Sequence, residues 1–252
     1  MHSDLPLVVV MAHPDDEFAV FPWLEAACRE RRNVHCCWLT NGGWGGQDID
    51  RRRAESTAVL RTIGVPPEAM HFIGERLEIP DGELHLRLDQ VVPALRELLE
   101  TLPEAIEVLV PAWEGGHQDH DATQLAAAAA SHGGKARLRQ FSLYHGAGLS
   151  GPWFRVLAPL AENGPSSGLP LGLFSRIKCI FRCTRYPSQW KSFLGLLPFY
   201  GLKMFARRPF VLQDVNFSRT AQRPHQGKLL YERRTALTWE AFAEQTSAYR
   251  SR

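Results

Sequence analysis

The sequence holds no apolar run long enough to cross a membrane, which excludes an integral membrane helix. A paired-cysteine framework is also missing. Its five cysteines (Cys28, Cys36, Cys37, Cys179, Cys183) are odd in number and lack disulfide or metal-knuckle spacing, so free thiols in a reducing compartment are expected. The opening MHSDLPLVVVMAHPDDE lacks a basic n-region and a cleavable apolar stretch, and a cytoplasmic location is the expectation. Net charge is small, +2 from 29 Lys and Arg against 27 Asp and Glu, which gives no general case for a nucleic-acid partner. Repeats and low-complexity segments are absent. At 252 residues, 44% of them hydrophobic, the chain can bury the core of one α/β domain with an appendage.

Strand-like and helix-like segments alternate. Buried strands are expected at Leu5 to Met11, Val34 to Leu39, Met70 to Ile73, Ile106 to Val110 and Leu138 to Tyr144. Helical patterns fall between them, at Phe18 to Arg31, Arg52 to Ile63, Leu86 to Leu102 and Ala122 to Ser131. Gly64 stops the second and Gly133-Gly134 the last, while Pro93 should kink the third or start it afresh. The order implies an α/β fold with a mainly parallel, doubly wound sheet over the first 145 or so residues. In such a sheet ligands gather outside the carboxyl ends of the strands.

Two charged clusters occupy that edge. His13, Asp15, Asp16 and Glu17 follow the first strand and open a helix, and WEGGHQDHDAT at 113 to 123 stands in the same relation to the strand IEVLVPA. Acids at a helix N-terminus are stabilising, so a lone Asp-Asp-Glu is more often a capping feature, and a lone His-x-x-His is often a solvated loop. Both clusters, however, combine His with Asp, follow a strand and open a helix. A hydrolytic zinc takes three imidazole or carboxylate ligands and keeps one position open for water, roles that His13, Asp16 and His120 would fill. Iron(II) suits the same donors. Asp15, beside a ligand but free of the metal, is the candidate base, and His117 suits oxyanion stabilisation or proton donation, with Asp119 or Asp121 to hold it protonated and oriented.

AHPDDE at 12 to 17 together with HQDH at 117 to 120 resembles the two signature motifs of the LmbE/PIG-L family of zinc-dependent N-deacetylases. The resemblance implies a Rossmann-like fold and removal of acetyl groups from N-acetylglucosamine-type sugars in larger conjugates, lipid-linked ones included. It also implies the same division of labour: His13, Asp16 and His120 on zinc, Asp15 as base, His117 as oxyanion stabiliser or acid. Further landmarks are similar to the family: TNGGWGG at 40 to 46, the Arg-x-x-Glu helix from Arg52, and IPDG at 79 to 82. Through them Arg52 and Asp81 are expected substrate contacts, although Arg52 could be a helix-surface charge and Asp81-Gly82 an ordinary turn. One departure is that Gly115 and Gly116 precede His117 where some relatives place an aromatic hydroxyl, so any such group must come from elsewhere. Glycines after a strand can also cradle phosphates, but the first βα turn has no Gly-x-Gly-x-x-Gly and carries acids that would repel a pyrophosphate.

The resemblance fades near residue 145. The expected organisation is a catalytic core at 1–150, a basic, aromatic-rich insertion or cap at 151–213, and a segment at 214–252 that completes the core domain. Residues 151–213 carry nine Lys or Arg and one acid, Glu162, interleaved with aromatic and aliphatic residues. Peripheral contact with the inner face of a membrane through 189–208 is one expectation and a packed helical cap the other, since Pro198 and Gly201 interrupt a single amphipathic helix. NGPSSGLP at 163 to 170 reads as a loop. His225 lies in a loop-like context and is expected outside the site, and Trp239 and Phe242, behind a Thr238 cap, should face the core.

Overall fold

The computed structural model describes residues 5–43, 48–103, 105–131, 136–206 and 208–250. The Gly133-Gly134 stop and Trp44 to Gly46 of the glycine turn lie outside them. The elements in chain order are β1 (Leu7–Met11), α1 (Phe21–Arg29), β2 (Val34–Trp38), α2 (Ile49–Ile63), β3 (Met70–Phe72) and α3 (Ile73–Arg76), then α4 (Leu88–Glu100), β4 (Ile106–Pro111), α5 (Gln118–Ala130) and β5 (Ala136–Phe141). After these come β6 (Tyr144–His145), β7 (Arg155–Val156), β8 (Ser166–Leu169), α6 (Leu173–Cys183), α7 (Trp190–Phe205), β9 (Phe210–Asp214), α8 (Leu230–Arg234), α9 (Trp239–Gln245) and α10 (Ser247–Arg250).

The central sheet has the order β3-β2-β1-β4-β5-β9-β8. Its first five strands are parallel, with Leu7 to Met11 of β1 against Val34 to Trp38 of β2 on one side and Leu7 to Val9 against Glu107 to Leu109 of β4 on the other. Strands buried on both faces read as continuous apolar runs, which is why LVVVM and IEVLVP are legible. Their alternation divides the core in two. Val9 and Met11 join α1 and α2 on one face, while Val8 and Val10 join α4 and α5 on the other, the doubly wound arrangement. The chain builds outward from β1 to β3, then returns to place β4 on the opposite side. The β1–β4 gap is therefore the topological switch point, where such sheets bind ligands.

Several boundaries shift from the sequence reading for local reasons. Asp48 caps α2 by accepting the N–H of Arg51, and Gly64 ends it with φ 111°. Pro93 sits inside a single α4, whose buried face of Val91, Val92, Leu95 and Leu99 holds the helix against the sheet and outweighs the lost backbone bond. A short 3-10 turn, Asp16–Ala19, precedes α1. The stretch read as a loop at 163 to 170 instead supplies the edge strand β8, which pairs antiparallel with β9 from Ser166 opposite Gln213 to Leu169 opposite Phe210. Ser and Gly carry little strand propensity, so this pairing depends on the neighbouring strand rather than on local pattern. Thr238 does cap α9, and Phe242 is fully buried against Trp113, behind the loop that follows β4.

Candidate active site

The first motif leaves β1 at the switch point and the second leaves β4 beside it. α5 begins at Gln118 rather than near Ala122, because the His117 ring Nδ1 accepts the N–H of Asp119 as an N-cap. HQDH therefore forms the cap and first turn of the helix. His120 Nε2 lies 3.1 Å from Asp16 Oδ1, and His13 Nδ1 lies 3.5 Å from Asp16 Oδ2. The backbone N–H groups of Ala12 and His13 donate to Asp16 Oδ2 at 3.1 and 2.9 Å, so the first-motif turn is built around that carboxylate. Ligand atoms of His13, Asp16 and His120 all lie within 4.8 Å of one another, and all three residues are buried.

Two imidazoles and one carboxylate converging this closely fit a divalent cation. His13, His117 and Asp119 form an overlapping group. Asp119 is already committed, however: its oxygens accept the N–H of Gly82 at 2.5 Å and of Leu84 at 3.1 Å, and Oδ2 lies 2.9 Å from His13 Nε2. That contact fixes the His13 ring and leaves Nδ1 toward Asp16, the arrangement by which carboxylates orient metal-binding imidazoles. Electrostatics agree with a site suited to a cation. Burial works to lower the His13 pKa, yet Asp81, Asp16 and Asp119 hold it well above the ordinary value. Burial opposes ionisation of Asp16, but His120 and His13 keep its carboxyl well below the usual range.

Asp15 stands one residue from these ligands and lines the pocket. Its backbone has φ 124°, a value that L side chains rarely adopt, and its N–H donates to Glu17 Oε2 at 3.0 Å. Burial pushes its carboxyl up to about 8, against the opposing pull of Arg52, whose Nη2 is 3.5 Å away. Arg52 itself is buried. It bonds Asp81 Oδ2 at 2.8 Å and the carbonyls of Pro14 at 2.9 Å and of Gly42, while Thr40 Oγ1 donates to Asp81 Oδ1 at 2.6 Å. Both residues read as substrate contacts line the pocket, and both also brace the turn that carries Asp15.

His117 lines the same wall, with its ring centroid 4.7 Å from that of His13. Burial and the neighbouring His13 pull its pKa down to about 3, so the ring is neutral; with Nδ1 accepting from Asp119 N–H, Nε2 is its donor. The two acids expected to hold it protonated both have other hydrogen-bond partners. Asp119 Oδ2 is 3.8 Å from His117 Nδ1, and Asp121 Oδ1 accepts the N–H groups of Glu114 and Gly115 at 3.1 and 3.2 Å. A neutral imidazole N–H suits hydrogen bonding to a developing oxyanion.

Gly116 shows why no aromatic precedes His117: a Cβ there would stand 1.8 Å from the Tyr144 carbonyl oxygen. Tyr144 instead brings a phenol ring to the pocket, edge-on to His120 at 5.3 Å between centroids. Glu114 holds Tyr144 in place by accepting the N–H groups of Leu143 and Tyr144 at 2.7 and 2.8 Å, and the Ser142 hydroxyl at 2.5 Å. Burial pushes the Glu114 carboxyl up from 4.5 to about 7. The native chain then retains a proton that the unfolded chain has released, so this group's contribution to stability falls as pH rises between those two values. Glu114→Gln is expected to flatten that part of the thermal-unfolding midpoint against pH, and a profile identical to wild type would contradict the assignment.

The pocket encloses about 520 Å³. Besides the motif residues it is lined by Tyr144, Phe154, Tyr231, Arg234 and the first turns of α7, including Lys191 and Ser192. None of these was singled out from sequence, because their distance from the motifs is set by tertiary packing and not by spacing. Glu17, the last acid of the first motif, has no role assigned by its position in the sequence. It is buried beneath the first motif, where its carboxylate accepts the Tyr186 hydroxyl at 2.8 Å and the Trp38 indole N–H at 3.3 Å, tying the α6–α7 connection to the first-motif turn. His225 is absent from the lining; its ring faces His145 at 6.2 Å.

Comparison with curated protein sequences gives no match. Among solved structures, a deacetylase–bog complex from the teicoplanin biosynthesis pathway is similar at 18% identity and TM-score 0.64, covering 84% of this chain and 98% of that one. The zinc-inhibited form of a teicoplanin deacetylase is similar at 16% identity and TM-score 0.60, over 84% of this chain and 98% of that one. A deacetylase of the A40926 pseudoaglycone is similar at 17% identity and TM-score 0.61, covering 85% and 98%. These likenesses show a shared mainly parallel α/β fold. Residues 8–131, which run from Val8 in β1 to the end of α5 and include both motifs, match the family described as PIG-L: GlcNAc-PI de-N-acetylase.

Proposed function

We propose that the protein is a metal-dependent N-deacetylase that hydrolyses the acetamide of an N-acetylglucosamine-type sugar within a larger conjugate. The observation that carries this reading is the convergence of His13, Asp16 and His120 beside Asp15 and His117 on one wall of a pocket at the β1–β4 switch point. His13, Asp16 and His120 would hold a divalent cation, which would supply an acidified water and polarise the amide carbonyl; zinc is preferred and iron(II) suits the same donors. Asp15 accepts a proton from the attacking water as a carboxylate, the form that burial opposes and Arg52 at 3.5 Å favours. His117 donates its Nε2–H to the oxyanion that forms on the former carbonyl oxygen. The proton taken by Asp15 is available for the departing amine, leaving acetate and the free amino sugar. Tyr144 and Phe154 offer apolar ring surface for the sugar, and Arg234, stacked 5.3 Å from the Phe154 ring centroid, offers donors for its hydroxyls.

The test is acetate release from a panel of N-acetylglucosamine conjugates, lipid-linked ones included, set against N-acylated amides that contain no sugar. Release from the sugar conjugates is the expected result. Turnover confined to the sugar-free amides would replace the substrate class, and no turnover by metal-loaded protein would make it a sugar-binding protein of the same fold.

A further inference from the structure

Eight of the eleven large apolar side chains exposed among the described residues lie on α6 and α7. On α6 the exposed positions are Leu173, Phe174, Ile177 and Phe181, opposite the buried Arg176, Cys179 and Cys183. On α7 they are Trp190, Leu194, Leu202 and Phe205, opposite the buried Phe193, Tyr200 and Met204. Phe174 is 70% exposed and Phe205 71%. A surface helix ordinarily turns one apolar stripe to the core and polar residues outward. Here both helices sink one stripe into the same apolar cluster and present a second apolar stripe to solvent.

Charge says what covers it. From 163 to 213 the sequence has eight Lys or Arg and no Asp or Glu. Ammonium groups flank the exposed rings, with Lys178 Nζ 4.8 Å from the Phe174 ring centroid and Lys191 Nζ 5.8 Å from that of Trp190. We propose that the outer face of α6 and α7 docks on an anionic lipid bilayer, with its aromatic and aliphatic stripe at the acyl boundary and its lysines and arginines among the headgroups. Arg176 is buried, Arg182 pairs with Glu25 of α1 at 2.7 Å and Lys178 lies 3.9 Å from the same carboxylate, but α6 and α7 themselves carry no acid, so a second copy packed face to face through them would set cation against cation. The helices would lie on the bilayer, since none described is long and apolar enough to cross it.

The surface adjoins the pocket. Lys191, Ser192 and Leu196 of α7 line it, and exposed Trp153 extends the patch by packing edge-on to Phe199 at 6.4 Å. A docked enzyme would therefore meet conjugates anchored in the bilayer. That consequence rests on the deacetylase reading; the docking itself does not.

Flotation of the full chain with phosphatidylcholine vesicles containing phosphatidylglycerol, and with phosphatidylcholine alone, tests the surface. Wild type is expected to float with the anionic vesicles and to be released by salt. Phe174→Ser/Phe181→Ser should lower the vesicle partition coefficient about tenfold or more. Neither residue lines the pocket, so acetate release from a soluble conjugate and the circular dichroism spectrum should match wild type. If that pair fails to fold, Lys178→Gln/Arg185→Gln provides the second arm, with weaker flotation and a shallower salt dependence expected. Wild type that stays unbound at both compositions, or variants that float as well as wild type, would overturn the proposal. So would a wild-type dimer that ignores vesicles and dissociates in the Phe174→Ser/Phe181→Ser protein. Because the readout is vesicle binding, its failure leaves the deacetylase reading standing, and absence of turnover leaves the docking result standing.

Discussion

Asp15→Asn is expected to lower kcat for acetate release about 10²- to 10⁴-fold, the range associated with a general base, with little change in KM or bound metal. The residue lies outside the His13, Asp16 and His120 group that could hold a metal ion, lines the pocket, and its carboxylate lies 3.5 Å from Arg52. Asparagine keeps its shape and removes only its capacity to take a proton. The backbone adds an independent signature. A non-glycine residue at φ 124° costs about 1–3 kcal/mol, and here Glu17 and Arg52 clamp both sides of the turn that enforces it. Asp15→Gly should therefore raise the thermal-unfolding midpoint while losing activity. Stability spent on placing a carboxylate marks a functional position. Unchanged kcat in Asp15→Asn would remove the residue from that role.

His120→Ala, or treatment of the wild type with a chelator, is expected to reduce acetate release to background, with zinc or iron(II) restoring the chelated wild type but not the variant. His120 is the cleanest ligand to remove. Asp16 also accepts two backbone N–H groups of the first turn, so its loss would disturb the turn as well as the centre. Asp119→Ala should fall between wild type and His120→Ala: the three ligands remain, but the His13 ring loses the carboxylate at 2.9 Å that orients it, and metal affinity should drop about 10- to 100-fold. Metal content measured beside activity separates the cases. If Asp119→Ala binds metal as tightly as wild type, its carboxylate does no more than hold the Gly82 and Leu84 backbone.

The parallel half of the sheet is legible because each strand is an apolar run bounded by breakers. Both motifs are legible because their residues sit next to one another in sequence at the ends of two such strands. Asp119 illustrates the limit. Its place in HQDH suggests a partner for His117, but α5 starts at Gln118 and turns that carboxylate toward His13, a consequence of one helix boundary that spacing alone does not determine. Strands β8 and β9 are harder to read, since SSGL lacks β-branched and aromatic residues and exists as a strand only through its neighbour. Tyr144, Arg234 and Lys191 reach the pocket from three segments far from either motif. The exposed stripes of α6 and α7 were half visible: basic and aromatic composition signals them, but only burial distinguishes an outward apolar face from a packed cap.

The most direct test of the metal centre is calorimetric titration of metal-free protein with zinc, repeated in buffers of different ionisation enthalpy. Burial lowers the His13 pKa, but Asp81, Asp16 and Asp119 together raise it well above its ordinary value, and a ligand must be deprotonated. About one zinc per chain should therefore bind with net proton release, with affinity falling as pH is lowered and binding lost in His120→Ala. Zinc binding that persists undiminished in His120→Ala, or the absence of a stoichiometric site in the wild type, would contradict a centre built from His13, Asp16 and His120.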